Sequence, residues 1–264
     1  MNFDTLDFEL RNGVAHIALN RPDAQNAFDI PMGRDLMEAS IRCDEDPSVR
    51  AVVLSAKGKR FFSAGGDLKA FKDAADGLPV FLKRLTTYLH AAVSRFMRMD
   101  APLVVAVNGA AAGIGMSIAL CGDFVIASKS ARFNVAYTGV GLTPDGGSTW
   151  LLPRLVGLRR AQELIIANRV LKADEALAWN LVTQIVSDDA LLETANALAA
   201  KLADGPKQAY GSVKRLLAGC FSEGLETQME LEARSISSAS GNKESREGIA
   251  AFIGKRAPDF RSTS

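Results

Sequence analysis

The hydrophobic pattern of this chain changes its period along the sequence. Short apolar runs at Val14–Asn20, Ala51–Ala56, Leu103–Val107 and Phe124–Ser128 predict strands, since each is brief, apolar and bounded by turn residues or charge. Between them, Pro31–Cys43 and Leu78–Met97 repeat their apolar positions at helical spacing, and Pro79 suits a first helical turn. This alternation implies βαβ units with right-handed crossovers and a largely parallel sheet, which is the α/β class. After about Gly157 the period is mostly helical, through AQELIIANR, KADEALAWN, ALLETANALAAKLA and GLETQMELEARSISS, and only LVTQIV is left as a strand candidate. The closing segment KESREGIAAFIGKRAPDF predicts a helix followed by Pro258. Helices beyond about Gly205 carry mixed faces, which suit either a neighbouring subunit or a solvated surface.

One segment stands apart. Between Asp100 and Asp123 the run APLVVAVNGAAAGIGMSIALCG carries no charge. It reads as a strand from Pro102 to Val107, turn chemistry at Asn108-Gly109, and a helical pattern starting near Gly113. Such a unit aims unpaired backbone N–H groups at one point, where a helix N-terminus adds roughly half a positive charge and small residues let a ligand approach. A buried core strand and helix with no ligand is an equal reading of this segment alone. Asn108, the glycines and the strand-like first half argue against a membrane span.

Composition narrows the function classes. The chain has 264 residues, enough for one large domain or a core with an appendage, and its hydrophobic and charged shares, 48% and 23%, are those of an ordinary soluble globule. Lys and Arg number 31 against 30 Asp and Glu, so nothing suggests a polyanion surface or a nucleic-acid partner. The start, MNFDTLDFEL, has neither a basic region nor an apolar core, and no secretory signal is expected. Cys43, Cys121 and Cys220 lack paired spacing, which suits a reducing cytoplasm and excludes a disulfide framework or zinc site. There is no P-loop, G-x-G-x-x-G or G-x-S-x-G pattern.

Two more segments carry candidate chemistry. RFFSAGGDLKAF, Arg60 to Phe71, follows a strand and precedes a helical stretch, so its N–H groups and those after Val107 can converge on one carbonyl oxygen. A tight turn that needs Gly65 and Gly66 for positive φ explains it equally well. In GLTPDGGSTWLL, Asp145 stands after a proline and before two glycines, where a turn or cap is the default role. The functional alternative is a carboxylate on an apolar scaffold, with a pKa raised by desolvation toward a value useful for proton transfer.

ALNRPDAQNAF (Ala18 to Phe28), RFFSAGGDLKAF, AVNGAAAGIGMSIAL (Ala106 to Leu120) and LTPDGGSTWLLPRLVG (Leu142 to Gly157) resemble, in order and at family spacing, the signatures of the crotonase, or enoyl-CoA hydratase/isomerase, superfamily. The resemblance implies an α/β spiral of ββα turns over about residues 1–200, and a C-terminal helical region, about 201–264, that assembles trimers or dimers of trimers. It implies an acyl-CoA thioester substrate, with coenzyme A part of that substrate and no further cofactor, metal, nucleic-acid or membrane partner. The oxyanion donors carried over by position are the N–H groups of Gly66 and Ile114. Coenzyme A would lie along Ala24, Ala64, Asp67, Leu68 and Lys69, and Phe252 and Lys255 match tail positions that reach it from a neighbouring subunit. Lys57, Lys59 and Arg60 either hold phosphate or form a solvated basic loop. The acyl pocket would draw on parts of Phe71 to Leu89.

Departures from the family pattern choose among reactions. Ser117 and Tyr137 stand where the hydratases of the family carry two glutamates, so hydration is not expected. Asp145 matches the catalytic aspartate of the ring-epoxide isomerases of phenylacetyl-CoA breakdown and their enoyl-CoA isomerase relatives. The implied reaction is a double-bond shift through an enolate. Two alternatives stay open: dehalogenation of an aryl-CoA, with Asp145 as nucleophile and His90 as base, and an acyl-CoA binding protein without catalysis.

Overall fold

The computed structural model describes residues 3–263. Its strands are β1 (Leu6–Arg11), β2 (Val14–Leu19), β3 (Ala51–Ala56), β4 (Phe61–Ser63), β5 (Leu103–Val107), β6 (Ala110–Ala112), β7 (Phe124–Ser128), β8 (Arg132–Asn134), β9 (Val170–Lys172) and β10 (Gln184–Val186). The helices are α1 (Ile30–Glu45), α2 (Leu68–Ala74), α3 (Leu78–Arg98), α4 (Ile114–Leu120), α5 (Ser148–Val156), α6 (Leu158–Ile166), α7 (Ala173–Ala178), α8 (Leu191–Ala203), α9 (Lys207–Gly219), α10 (Leu225–Ser240) and α11 (Lys243–Ile253). Among the described residues, no helix is long and apolar enough to cross a membrane.

Two sheets run side by side through the chain. One has six strands in the order β1-β2-β3-β5-β7-β10, parallel except for the β1–β2 hairpin. The other has four, β4-β6-β8-β9, of which only the last pair is antiparallel. Each turn of the chain places one strand in each sheet before its helix, as in β3-β4-α2 and β5-β6-α4. This is the ββα spiral implied above. The short links stack on one another: Ala110 N donates to Arg60 O at 3.0 Å, and Asn108 Nδ2 donates to Gly58 O at 2.7 Å.

The central strands are apolar on both faces because both faces are covered. Val52, Leu54, Val105 and Val107 point into the main core with α1 and α3, whereas Ala51, Val53, Val104 and Ala106 meet α8. On α8, Ala195, Ala199 and Ala203 recur every four residues, so the contact face is small and the helix lies close to the sheet. Helix α1 starts where Asp29 accepts a hydrogen bond from Met32 N at 3.0 Å, with Pro31 in the first turn. Buried Arg50 ties the end of α8 to β3 through the carbonyls of Ala203, at 2.6 Å, and Gly205, at 2.8 Å.

Three features differ from the sequence expectation. β1 was not expected, although Leu6, Phe8 and Leu10 alternate with Asp7, Glu9 and Arg11. The turn at Asn108-Gly109 leads into β6 before the helix, and LVTQIV is a strand only over Gln184–Val186. The three-residue strands of the second sheet are too short to carry a period, and tertiary pairing alone creates them.

Candidate active site

The ends of β4 and β6 bring two glycine turns together. Gly65 has φ +100° and Gly113 φ +52°, and a Cβ built on Gly65 would lie 3.0 Å from Ala112 O. Backbone thus packs on backbone, which only glycine permits here. Phe28 pairs with the first turn: its N–H donates to Gly65 O at 2.7 Å, and its carbonyl accepts from Asp67 N at 2.9 Å. In a parallel bridge of this kind the intervening residue, Gly66, directs its own N–H to the opposite side. Ile114 is the first residue of α4, so its N–H has no acceptor within the helix. Among the described residues neither N–H has a hydrogen-bond partner. Both residues line one cavity of about 300 Å³.

Asp145 lines the same cavity. Its carbonyl accepts from the Ser117 and Ser148 hydroxyls, each at 3.0 Å, and the next N–H, that of Gly146, donates to His90 Nε2 at 3.1 Å. The loop is therefore pinned by backbone bonds and the carboxyl is not spent as a cap, since α5 has no side-chain cap. Tyr137, in the turn after β8, donates its O–H to Asp145 Oδ1. Burial raises the Asp145 pKa above the ordinary carboxylate value, while the Tyr137 bond, and any positive charge on His90, pull it down; burial prevails. The Tyr137 phenol is pushed up by burial and then by the Asp145 charge, so it remains a donor.

The cavity walls come from α2 and α3, with Phe71, Leu82, Leu85, Thr86 and Leu89, and from Val140 and Leu142 opposite. Lys83 stands on the rim. Of these, Phe71, Leu82, Lys83, Leu85, Thr86 and Leu89 fall inside the Phe71 to Leu89 region expected to contribute to the pocket, and Val140 and Leu142 lie outside it. Ala64 and the exposed Leu68 also line it, and Ala64 N donates to Gln25 O at 3.0 Å, which brings the Ala24 turn alongside.

Asp67, Lys69, Phe252 and Lys255 are not among the residues that line the cavity of the single chain. Asp67 is spent on structure: Oδ1 caps α2 through Lys69 N and Ala70 N, both at 3.1 Å, and Oδ2 pairs with Arg21 at 3.2 Å. Arg21 also holds Asp29 at 3.0 Å, a clamp on the Gly66 turn that no local motif announced. Lys69 is exposed on α2, and Lys57 pairs with Asp7 at 3.0 Å. Phe252, 87% exposed, and Lys255 sit at the end of α11 and do not line the cavity of their own chain. His90 lines a neighbouring cavity of about 400 Å³ with Met97 and Trp150, behind the Asp145 loop.

The family model described as enoyl-CoA hydratase/isomerase matches residues 9–263. The chain belongs to this family. It is 36% identical over 252 residues to the 1,2-epoxyphenylacetyl-CoA isomerase of Escherichia coli (strain K12), covering 95% of this chain and 96% of that protein. It is 32% identical to 4-chlorobenzoyl coenzyme A dehalogenase-2 of Arthrobacter sp, covering 98% of this chain and 93% of that protein. The crystal structure of an enoyl-CoA hydratase from Polaromonas sp. JS666 superposes with a TM-score of 0.90 at 30% identity, covering 96% of this chain and 98% of that one. The fold is accordingly the crotonase type. Relatives named as an isomerase, a dehalogenase and a hydratase match this chain over nearly its whole length, so only the site can distinguish the reactions.

Proposed function

We propose that this member of the enoyl-CoA hydratase/isomerase family shifts a carbon–carbon double bond in an acyl-CoA thioester, with Asp145 carrying the proton. The observation that carries the reading is the cavity itself, where Asp145 is the only carboxyl among the lining residues and the unpartnered N–H groups of Gly66 and Ile114 share the space. The Asp145 carboxylate takes a proton from the acyl chain, and the electron pair of that C–H bond delocalises to the thioester oxygen as a dienolate. Two N–H donors hold that charge, each for about 3 kcal/mol. The carboxyl then returns the proton two carbons away and the thioester carbonyl re-forms, with neither water nor redox equivalents consumed. A raised carboxyl pKa suits both halves of this transfer.

The competing reactions find less support. Hydration needs a second base at Ser117 or Tyr137, and both hydroxyls are engaged with the Asp145 loop. Dehalogenation needs His90 to reach a substrate-derived ester, yet its Nε2 is taken by Gly146 N–H on the far side of that loop. The expectation that Ala24, Ala64 and Leu68 border coenzyme A fits their place by the cavity mouth. Apolar side chains exposed on α10 and α11, including Met229, Ile236 and Phe252, support assembly with further copies, through which Phe252 and Lys255 would come from a neighbour.

The test is a panel of 2-enoyl-, 3-enoyl- and aryl-CoA thioesters incubated in deuterated water, with product isomers, deuterium uptake and halide release measured. Isomer formation is expected, and Asp145→Asn should lower its rate by about 10²–10⁴ while coenzyme A thioester binding persists. An active Asp145→Asn enzyme, or halide release without isomerisation, sinks the reading.

A further inference from the structure

We propose that Tyr137 is a positioning residue, whose O–H holds Oδ1 of Asp145, stabilises the charged form of that carboxyl and leaves Oδ2 as the single oxygen that collects and returns the proton. The role rests on Asp145 as the proton carrier. In the structure Tyr137 donates to Oδ1, and Oδ2 has no hydrogen-bond partner among the described residues. Both side chains line the cavity.

The tyrosine is itself held from behind. Ala136 N donates to Asn168 Oδ1 at 2.8 Å, Asn134 Nδ2 donates to Asn168 O at 3.0 Å, and Leu142 N donates to Tyr137 O at 3.0 Å. The ring is thus delivered by the β8 end of the second sheet, and the carboxyl by the loop before α5. Their meeting point is a tertiary contact between segments eight residues apart. Other titratable groups near Asp145 come from α3: His90 behind the loop and Lys83 on the cavity rim. Positive charge on either acts in the same direction as the tyrosine, and neither supplies the hydrogen bond to Oδ1.

Burial raises the Asp145 pKa above the ordinary carboxylate value and so disfavours the charged form that acts as base. The phenol offsets part of that effect, because a hydrogen bond to the charged form favours it. It stays a donor throughout, its own pKa being driven up by burial and by the adjacent carboxylate.

The experiment is a ¹³C NMR titration of the ligand-free protein labelled at aspartate carboxyls, with the Asp145 signal assigned by its loss in Asp145→Asn. Tyr137→Phe should raise the Asp145 midpoint by about one to two pH units, the equivalent of one hydrogen bond to a charged group. As an independent arm, biosynthetic replacement of the three tyrosines by 3-fluorotyrosine makes a stronger donor and should lower the midpoint. In turnover, the acid limb of kcat/KM for Tyr137→Phe should move up with the NMR midpoint, and KM above that limb should be unchanged. An Asp145 midpoint unmoved in both proteins overturns the proposal, as does a rate loss equal at every pH. Since the titration needs no substrate, its outcome is separate from that of the isomerase reading, which Asp145→Asn turnover decides.

Discussion

Gly113→Ala perturbs one proposed oxyanion donor, the Ile114 N–H, through the backbone. Gly113 has φ +52° and ψ −131°, a conformation that residues with a Cβ avoid. Space is not the obstacle, since the new Cβ would sit 3.4 Å from Gly65 Cα and 3.9 Å from Tyr137 Cζ, both ordinary contacts. The cost is therefore backbone strain of about 1–3 kcal/mol. The chain relieves it by rotating the peptide between Gly113 and Ile114, and that peptide carries the Ile114 N–H. Turning this donor away from the thioester oxygen should lower kcat by about 10²–10³. Stability should fall by no more than the strain itself, because the substitution buries no polar group. Steady-state isomerisation, urea unfolding and calorimetric binding of a thioester should be measured on the same preparation. A variant that keeps kcat within a few-fold of the parent while folded would refute the role of the Gly113–Ile114 peptide.

Two further predictions concern what holds the scaffold in register. Asp35 is buried and accepts from Asp4 N, Thr5 N and Thr5 Oγ1 at 3.1, 3.1 and 2.8 Å, so Asp35→Ala strands buried donors at the start of β1. Urea unfolding should show a loss of about 1–3 kcal/mol, and a loss near zero would mean that the N-terminal strand contributes little. Lys214 lies 2.7 Å from Asp123, whose pKa burial raises despite the ammonium. Lys214→Met leaves that carboxylate unpaired and should cost about 3–5 kcal/mol near neutral pH. A carboxyl whose folded pKa exceeds its unfolded pKa binds more protons in the native state, so stability grows as pH falls through the folded value. The deficit of Lys214→Met should accordingly narrow in mild acid; a deficit independent of pH contradicts this reasoning.

Much of the scaffold was legible because its strands are covered on both faces. Ala51–Ala56, Leu103–Val107 and Phe124–Ser128 are continuous apolar runs with charge or turns at their ends, and each forms a strand at those bounds. Helix α3 was readable from its period, which makes it one wall of the cavity and one side of the core. β1 carried a strand signal in its alternation of apolar and charged residues. The second sheet carried none: Phe61–Ser63 and Ala110–Ala112 are strands only because neighbouring turns of the spiral supply their partners.

The residues alone determined the α/β alternation, the glycine turns and the presence of a carboxyl at Asp145, since these depend on local sterics, side-chain period and residue identity. Only the tertiary structure decided that Gly66 and Ile114 share a cavity with that carboxyl, that Tyr137 grips it and that His90 stands behind its loop. A hydrogen bond needs two groups at one point in one orientation, and segments distant in sequence reach that point only when the sheets and helices that carry them have packed.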